Sequence, residues 1–562
     1  MPIAPEFLHL KGREKMKVCL LWLWRVLKGR GGYVTCRALI GIMHVAVSMG
    51  FIVISKYLVD VATGQEAGNL KLGMVALVVC VCLQLLFGVW GSRLGVHASV
   101  KMGNALRSSI FGGVMRSCWK GRESLHTGDV MNRMEGDVDT VTSLLCHTLP
   151  MVVVSCVQFV AAFLFLGILD GRLAIVLAVV MPVAFLLSKS YVKRMRSLTH
   201  DLLGAESKLQ AFMQEHLQNR LLVLTLEYTD RSLKGLDGIL QDLKGLVFRR
   251  TDYSLFSKCV VQGGFSLGYV AAFLWGVAGL AEGTVSFGMM TAFLQLVAQV
   301  QRPVLDLGRQ VPAFVQAIAS VERLMELEQL PMEARGTSVP LDGKIGVRME
   351  EVTFAYAEGE RKIFSNFSHD FKPGSLTAVV GETGVGKSTL IRLLLALIFP
   401  KKGSVRFYTE NGEIEASPQS RCNIVYVPQG NSLLSGTIRE NLLWGNPQAT
   451  EEQMRKALYT AVADFVYDFP DGLDTLCGEQ GLGLSEGQAQ RIAIARGLLR
   501  PGGVLLLDEP TSSVDADTEK LLLVRLSHEM RDKTLILITH RERIAQLCTS
   551  TLHLKRSQST LI

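Results

Sequence analysis

Gly381-Glu-Thr-Gly-Val-Gly-Lys-Ser388 decides the fold of the C-terminal part of this chain. It has the spacing G-x-x-x-x-G-K-S, and its flanks are those the chemistry needs. Leu376–Val380 is a short apolar, β-branched run that predicts a buried strand. Thr389–Ile398 is apolar and predicts a helix. Glycines let the backbone turn so that its N–H groups face phosphate oxygens, and the helix start adds positive potential. Gly381, Glu382, Thr383, Gly384, Val385, Gly386 and Thr389 are therefore expected to cradle ATP. Lys387 is expected to reach the β- and γ-phosphates, and the Ser388 hydroxyl to ligate Mg²⁺. A chance glycine-rich turn would not place Lys-Ser between a strand and a helix.

Downstream, Val504-Leu-Leu-Leu-Asp508-Glu509 is an apolar strand that delivers two adjacent carboxylates. Most Asp-Glu pairs are solvated turns. This one follows a buried run and a phosphate loop, so Asp508 is assigned to the Mg²⁺ shell and Glu509 to the base that orients or deprotonates water.

The other half of the chain has a different composition. At 562 residues the chain exceeds one ordinary domain. A spanning helix needs about 20 apolar residues, and six candidates occur: Ala38–Ser55, Leu72–Trp90, Leu149–Leu169, Leu173–Ser188, Val260–Ala281 and Phe287–Val304. Core helices of a large soluble protein would keep a polar face, and several of these runs do not. The sixth is the least apolar, holding Gln295, Gln299 and Gln301. Basic residues concentrate in the segments Gly91–Thr148 and Lys189–Lys258, while the alternate loops are short and nearly free of them. That asymmetry puts both termini in the cytoplasm. The net charge of +8 belongs to these membrane flanks, so the composition argues for a lipid bilayer partner and against nucleic acid. Lys11–Trp24 reads as an amphipathic helix on the inner surface, not a signal peptide, with Met16 as an alternative start. The eleven cysteines include no C-x-x-C pair, so neither a zinc site nor a disulfide framework is expected. The expected domains are a membrane domain at 1–325, a linker at 326–346 marked by Pro331, Gly336, Pro340 and Gly343, and an α/β nucleotide domain at 347–562.

Leu484-Ser-Glu-Gly-Gln488, followed by Ala489–Arg496, extends the reading to a family. The chain resembles the ATP-binding cassette (ABC) transporters, in the exporter-type half-transporter class that fuses six helices to one cassette. The resemblance implies an α-helical membrane domain plus an α/β P-loop cassette that hydrolyses ATP. It implies that Leu484, Ser485, Glu486, Gly487 and Gln488 bind ATP held by the other cassette of a homodimer or of a heterodimer with a related half. Glu486 departs from the usual glycine and is expected to point outward. By the same resemblance, Tyr356 stacks on adenine, with Phe354 as the alternative. Gln429 senses the metal and couples to the membrane domain, His540 contacts the γ-phosphate, and Ser512–Asp515 crosses the dimer interface. Cys477-Gly-Glu479 resembles a segment that meets the membrane loops. In the membrane half, Thr127–Arg133 with Asp137, Gly283–Gly288 and Ser320–Arg323 match family patterns. Asn104–Met115 and Leu209–Leu217 fall where short coupling helices are expected. The chain stops 22 residues after His540, so Leu552–Lys555 is expected to supply a last strand and the cassette's outer edge to be trimmed.

The cargo reading rests on little. His44 is the main ionisable residue in a span, and Gln84, Gln158, Gln262, Gln295 and Gln299 fit helix–helix hydrogen bonding. The lack of a charged cluster favours export of a lipidic, amphiphilic or hydrophobic substrate from a bacterial inner or cell membrane. Import on the same fold, or a non-transport ATPase acting as gate or regulator, are the alternatives.

Overall fold

The computed structural model describes residues 12–29, 31–119, 127–356, 362–477, 483–511 and 514–555. Side chains are described for most of these, the main gap being 176–193. Two compact units result: Met1–Phe111 with Val130–Gln329, and Gly112–Asp129 with Leu330–Ile562.

The first unit is helical. Its elements are α1 (Gly12–Leu27), α2 (Gly31–Ala62), α3 (Leu70–Met115), α4 (Thr127–Asn132), α5 (Val138–Ser143), α6 (Leu149–Leu169), α7 (Gly171–Gln218), α8 (Arg220–Thr225), α9 (Thr229–Ala281) and α10 (Phe287–Glu328). Single π-turns, Arg133–Asp137 and Leu144–Thr148, flank α5. The 46, 48 and 53 residues of α3, α7 and α9 would run about 70–80 Å, far beyond a hydrocarbon core of about 30 Å. Among the described residues, four stretches are long and apolar enough to cross a membrane: Gly31–Ala62, Leu70–Met115, Gly128–Leu169 and Gln262–Ala281.

The expected sixth span lies in α10, where glutamines lower the hydropathy by facing other helices. Gln299 Nε2 donates to Ser48 Oγ at 2.9 Å and Gln158 Nε2 donates to Gln299 Oε1 at 2.5 Å. Gln295 reaches Ser55 Oγ at 3.3 Å, and Gln301 donates to the Phe265 carbonyl at 3.0 Å. Around this seam Ile52, Ala162, Leu166, Ala272, Ala292, Phe293, Leu296 and Val300 form one buried cluster, with alanines allowing close helix approach.

Two expectations need correction. The short helices expected at Asn104–Met115 and Leu209–Leu217 are instead the last turns of α3 and α7. Asn219, at φ −102° and ψ 26°, breaks α7, and its side chain donates to the Glu215 carbonyl. The short helix is α8, just beyond it. The predicted linker also begins about three residues early, because α10 continues through Glu328.

The second unit holds two sheets. Strands β1 (Gly346–Phe354), β2 (Phe364–Phe371), β4 (Lys402–Thr409) and β5 (Gly412–Glu415) form an antiparallel sheet in the order β2-β1-β4-β5. Strands β3 (Leu376–Val380), β6 (Ile424–Val427), β9 (Val504–Asp508), β10 (Thr534–Ile538) and β11 (Ser550–His553) form a parallel sheet in the order β11-β3-β10-β9-β6. A short pair, β7 (Gly436–Thr437) and β8 (Leu476–Cys477), stands apart. Helices α11 (Lys387–Leu394), α12 (Ile438–Leu443), α13 (Glu451–Thr460), α14 (Glu486–Leu499), α15 (Ala516–Glu529) and α16 (Glu542–Ala545) complete the unit. Strands β9 and β10 are buried along nearly their whole length, as their unbroken apolar runs require. Strand β11 adds the outer edge, two residues earlier than the predicted Leu552–Lys555.

Candidate nucleotide site

The phosphate loop leaves the C-terminal end of β3 and enters α11. Gly386 sits at φ 115°, where a Cβ would come within 2.7 Å of Ile363 Cγ2, so only glycine fits. At Gly381 a Cβ would meet the Leu554 carbonyl oxygen at 2.8 Å, because the chain after β11 runs against the loop. Leu554 N donates to the Val380 carbonyl at 2.8 Å, fixing that approach. Lys387 Nζ bridges the loop by donating to the Gly381 carbonyl at 2.8 Å.

Both carboxylates arrive at the end of β9. Asp508 is half-buried and accepts from the Tyr426 hydroxyl at 3.3 Å. Burial pushes its pKa up. The Tyr426 hydrogen bond opposes this, the Glu509 charge adds to it, and Lys387 opposes it. Burial and the Asp508 charge also raise the Tyr426 pKa, so its hydroxyl stays a neutral donor. Glu509 has φ 46°, a costly conformation for a non-glycine residue and one that persists where surroundings over-determine it. They do so here. Glu509 N donates to the Ile538 carbonyl at 3.0 Å, and its own carbonyl accepts from Gln490 Nε2 at 2.8 Å. Its carboxylate accepts from Gln429 Nε2 at 2.8 Å and faces His540 Nδ1 at 3.4 Å. Gln429 and His540, 111 residues apart in sequence, thus converge on one carboxylate.

Tyr356 and Phe354 separate in role. Phe354 is buried in the core, and Tyr356 packs edge-on against it with ring centroids 5.1 Å apart. The Tyr356 hydroxyl lies 3.2 Å from Thr389 Oγ1 and accepts from Arg392 at 2.6 Å. The Arg392 guanidinium lies 4.3 Å from the centroid of the Trp119 ring. Trp119 follows a short link in which Cys118 N donates to the Pro331 carbonyl at 2.6 Å and Glu333 N to the Arg116 carbonyl at 3.0 Å.

The Leu484–Gln488 segment opens α14. Ser485 is its N-cap: Ser485 Oγ accepts from Gln488 N at 3.2 Å and Gln488 Oε1 accepts from Ser485 N at 2.9 Å. Gly487 is buried and Leu484 packs on the core. Glu486 is exposed in the first helical turn, where an acid suits the dipole. One of its oxygens lies 3.8 Å from where a Cβ on Gly430 would stand, beside Gln429. It therefore points along the surface of its own unit. Gly478, Glu479, Ser512 and Ser513 lie outside the described residues. Asp515 caps α15 by accepting from Thr518 N.

Gln490, Tyr426, Arg392 and Trp119 did not stand out in the sequence. Gln490 is the one that had a signal, a lone amide on the apolar face of Ala489–Ala495. Among the described residues no cluster of three or more His, Cys, Asp or Glu side chains could hold a metal. The hydroxyl of Ser388 with the Asp508 carboxylate is instead the sparse oxygen set that suits Mg²⁺ shared with phosphates.

In the first unit, two weak sequence patterns meet. Asp137 accepts from Ser320 Oγ and Arg323 Nε, each at 2.8 Å. Arg133 bonds Glu326 at 2.8 Å. Trp22 Nε1 donates to Glu328 at 2.9 Å, tying α1 to the end of α10.

Residues 35–304 match the family model described as ABC transporter transmembrane region, and residues 364–512 the one described as ABC transporter. A fatty acid ABC transporter ATP-binding/permease protein of Mycobacterium bovis is 29% identical over 472 residues, covering 83% of this chain and 74% of that protein. ABC transporter B family member 1 of Dictyostelium discoideum is 27% identical over 495 residues, and the match spans 53% of its length. A bacterial Atm1-family ABC exporter solved with ATP bound superposes with a TM-score of 0.78 at 22% identity, covering 95% of this chain and 94% of that one. That last likeness is one of fold.

Proposed function

The chain belongs to the ABC transporter family and is an integral membrane protein that couples ATP hydrolysis to transport; from that premise we propose how its own residues divide the work. The observation that carries the proposal is the convergence of Gln429, His540 and Gln490 on Glu509. Glu509 orients and deprotonates the attacking water, and His540 and Gln429 position its carboxylate and face the γ-phosphate. Gly381–Thr389 cradles the phosphates, with Lys387 neutralising their charge. Tyr356 supplies the adenine platform. Ser388, Asp508 and Gln429 would hold Mg²⁺, which supplies charge neutralisation at the β- and γ-phosphates.

The site is completed by a second cassette, in a homodimer or with a related half. Leu484–Gln488 offers the N-terminus of α14 to the partner's ATP. Support for a partner comes from α8 and its flanks, where Leu217, Leu221, Leu222, Leu224 and Leu226 are all exposed. Five leucines on one tip in the cytoplasm are a surface that wants covering. The basic loops support a topology with both termini inside. Export of a fatty-acid-like or other amphiphilic cargo is the direction and class favoured, by the Mycobacterium relative's name and by a glutamine–serine seam without charge.

Glu509→Gln tests the reading in reconstituted protein. Hydrolysis should fall by about 100- to 10,000-fold, while ATP still binds and holds the dimer closed. Turnover near that of the parent would remove Glu509 from the role.

A further inference from the structure

Helix α3 bears an exposed stripe that changes character along its length. Leu72, Val75, Val79, Leu83, Leu86 and Trp90 recur at three- and four-residue steps, so they share a face, and all are exposed, as are Val78, Leu85 and Val89 on the other faces of this stretch. The same face continues through Arg93, His97 and Lys101, also exposed. At the junction a shallow, open cleft of about 740 Å³ runs along α3, lined by its own Trp90, Arg93, Leu94, Val96, His97 and Val100. Tyr33 of α2 stands beside it: its ring lies 5.8 Å from that of His97, and its hydroxyl accepts from Lys101 Nζ at 3.1 Å. Helix α3 contains no Asp or Glu. Among the described residues no carboxylate pairs with Arg93 or Lys101, whereas Arg107 further along has Asp139 at 2.6 Å.

Distances along the axis match a bilayer surface. With Trp90 at the end of the apolar stretch, Arg93, His97 and Lys101 lie about 5, 10 and 16 Å beyond it at 1.5 Å per residue. Arg93 falls within a headgroup layer of about 5–8 Å per leaflet, with His97, Lys101 and Tyr33 on its aqueous side, and Trp90 is the aromatic residue expected where the apolar stretch ends. We propose that this cleft binds the acidic headgroup of an inner-leaflet phospholipid, whose acyl chain lies along the apolar stripe of α3. Positive charge without a paired carboxylate among the described residues, an apolar wall on the membrane side and an aromatic rim together fit an anionic lipid. A zwitterionic lipid would leave the two cations uncompensated. The site goes beyond the transport reading and rests on it only for the cytoplasmic orientation of the loop after α3.

The test uses the full-length protein in phosphatidylcholine nanodiscs with and without phosphatidylglycerol. Native mass spectrometry counts the phosphatidylglycerol that stays bound. Arg93→Gln with Lys101→Gln should weaken retention roughly fivefold per charge. Arg249→Gln with Arg250→Gln, which removes the same charge from α9, should leave retention as in the parent. Trp90→Ala should weaken it with both charges intact. Equal loss in the α9 control would reduce the effect to general surface charge and overturn the site. Displacement of phosphatidylglycerol by added oleate, with oleate stimulating ATP hydrolysis through Arg93, would assign the cleft to cargo instead. Cross-linking of Val96→Cys between two protomers would assign it to a subunit contact. Orientation is read separately, from protease access to the cassette in sealed vesicles, so a reversed topology is distinguished from a failed site.

Discussion

Glu509 pays for its φ of 46° with contacts made by other elements, and Gln490 is the least conspicuous of them. Gln490 is fully buried in α14 and donates its amide to the Glu509 carbonyl, while its own Oε1 has no partner among the described residues. Gln490→Met removes that bond and roughly keeps the side chain's unbranched shape. Hydrolysis should fall about tenfold or more with ATP affinity preserved, the size of one buried hydrogen bond; equal loss in KM would point to a misfolded loop. Asp508 makes a prediction of opposite sign. Burial raises its folded pKa above the unfolded value, so the folded ATP-free protein holds that proton more tightly. Stability is therefore lost as pH rises from the unfolded pKa through the folded one, and the ionised carboxylate is a net cost at neutral pH. Asp508→Asn should raise the melting temperature of the ATP-free protein at pH 7, with the gain shrinking as the medium is acidified, while hydrolysis is abolished. A variant less stable at neutral pH would contradict the sign. At this scale the motif residues were readable because spacing and flanking strands define them. Tyr426 was not, since its partner Asp508 lies on a neighbouring strand 82 residues away, and Gln490 offered only a lone amide on an apolar helix face, with nothing local to name its partner.

Elements tell a similar story about range. Strands β3 and β9 were visible as apolar runs, and the expected strands match the structure at Leu376–Val380 and, to within one residue, at Val504–Asp508. The break at Asn219 was missed, because α7 and α8 are both helical in pattern and one backbone conformation separates them. Also hidden was the passage of Arg116–Trp119 into the nucleotide-binding unit. Helix α3 delivers Trp119 beneath Arg392, and Arg392 holds the Tyr356 hydroxyl. Within the second unit, the segment that follows α3 is thus linked by two contacts to the proposed adenine platform. Trp119→Ala should leave basal hydrolysis within about threefold but raise the KM for ATP, as the loss of a cation–π contact of about 0.5–2 kcal/mol allows. Any amphiphile that stimulates the parent should stimulate the variant less. Unchanged stimulation would show that Trp119 only packs.

For the whole molecule, the exposed leucines of α8 make assembly measurable. Leu221→Gln with Leu222→Gln adds two polar side chains to a tip that is already solvent-facing, Leu221 at 77% exposure, so the fold of the single chain should survive. If that tip meets a partner, the ATP-bound dimer should dissociate at lower dilution and hydrolysis should fall with it; a dimer of parental strength would place the contact elsewhere. Another feature bears on how the molecule comes into being. Strand β3 leads into the phosphate loop, yet both its neighbours, β10 and β11, are encoded more than 150 residues later. While the ribosome is still copying the segment between, the phosphate loop is attached to a strand with two open edges, and such edges recruit other strands. The membrane helices can insert as they emerge, but the nucleotide site must wait for Leu554 to be made. Nascent chains stalled before that point should be the ones most in need of chaperones, and a genetic lesion that trims only the last strand should be felt first at Gly381.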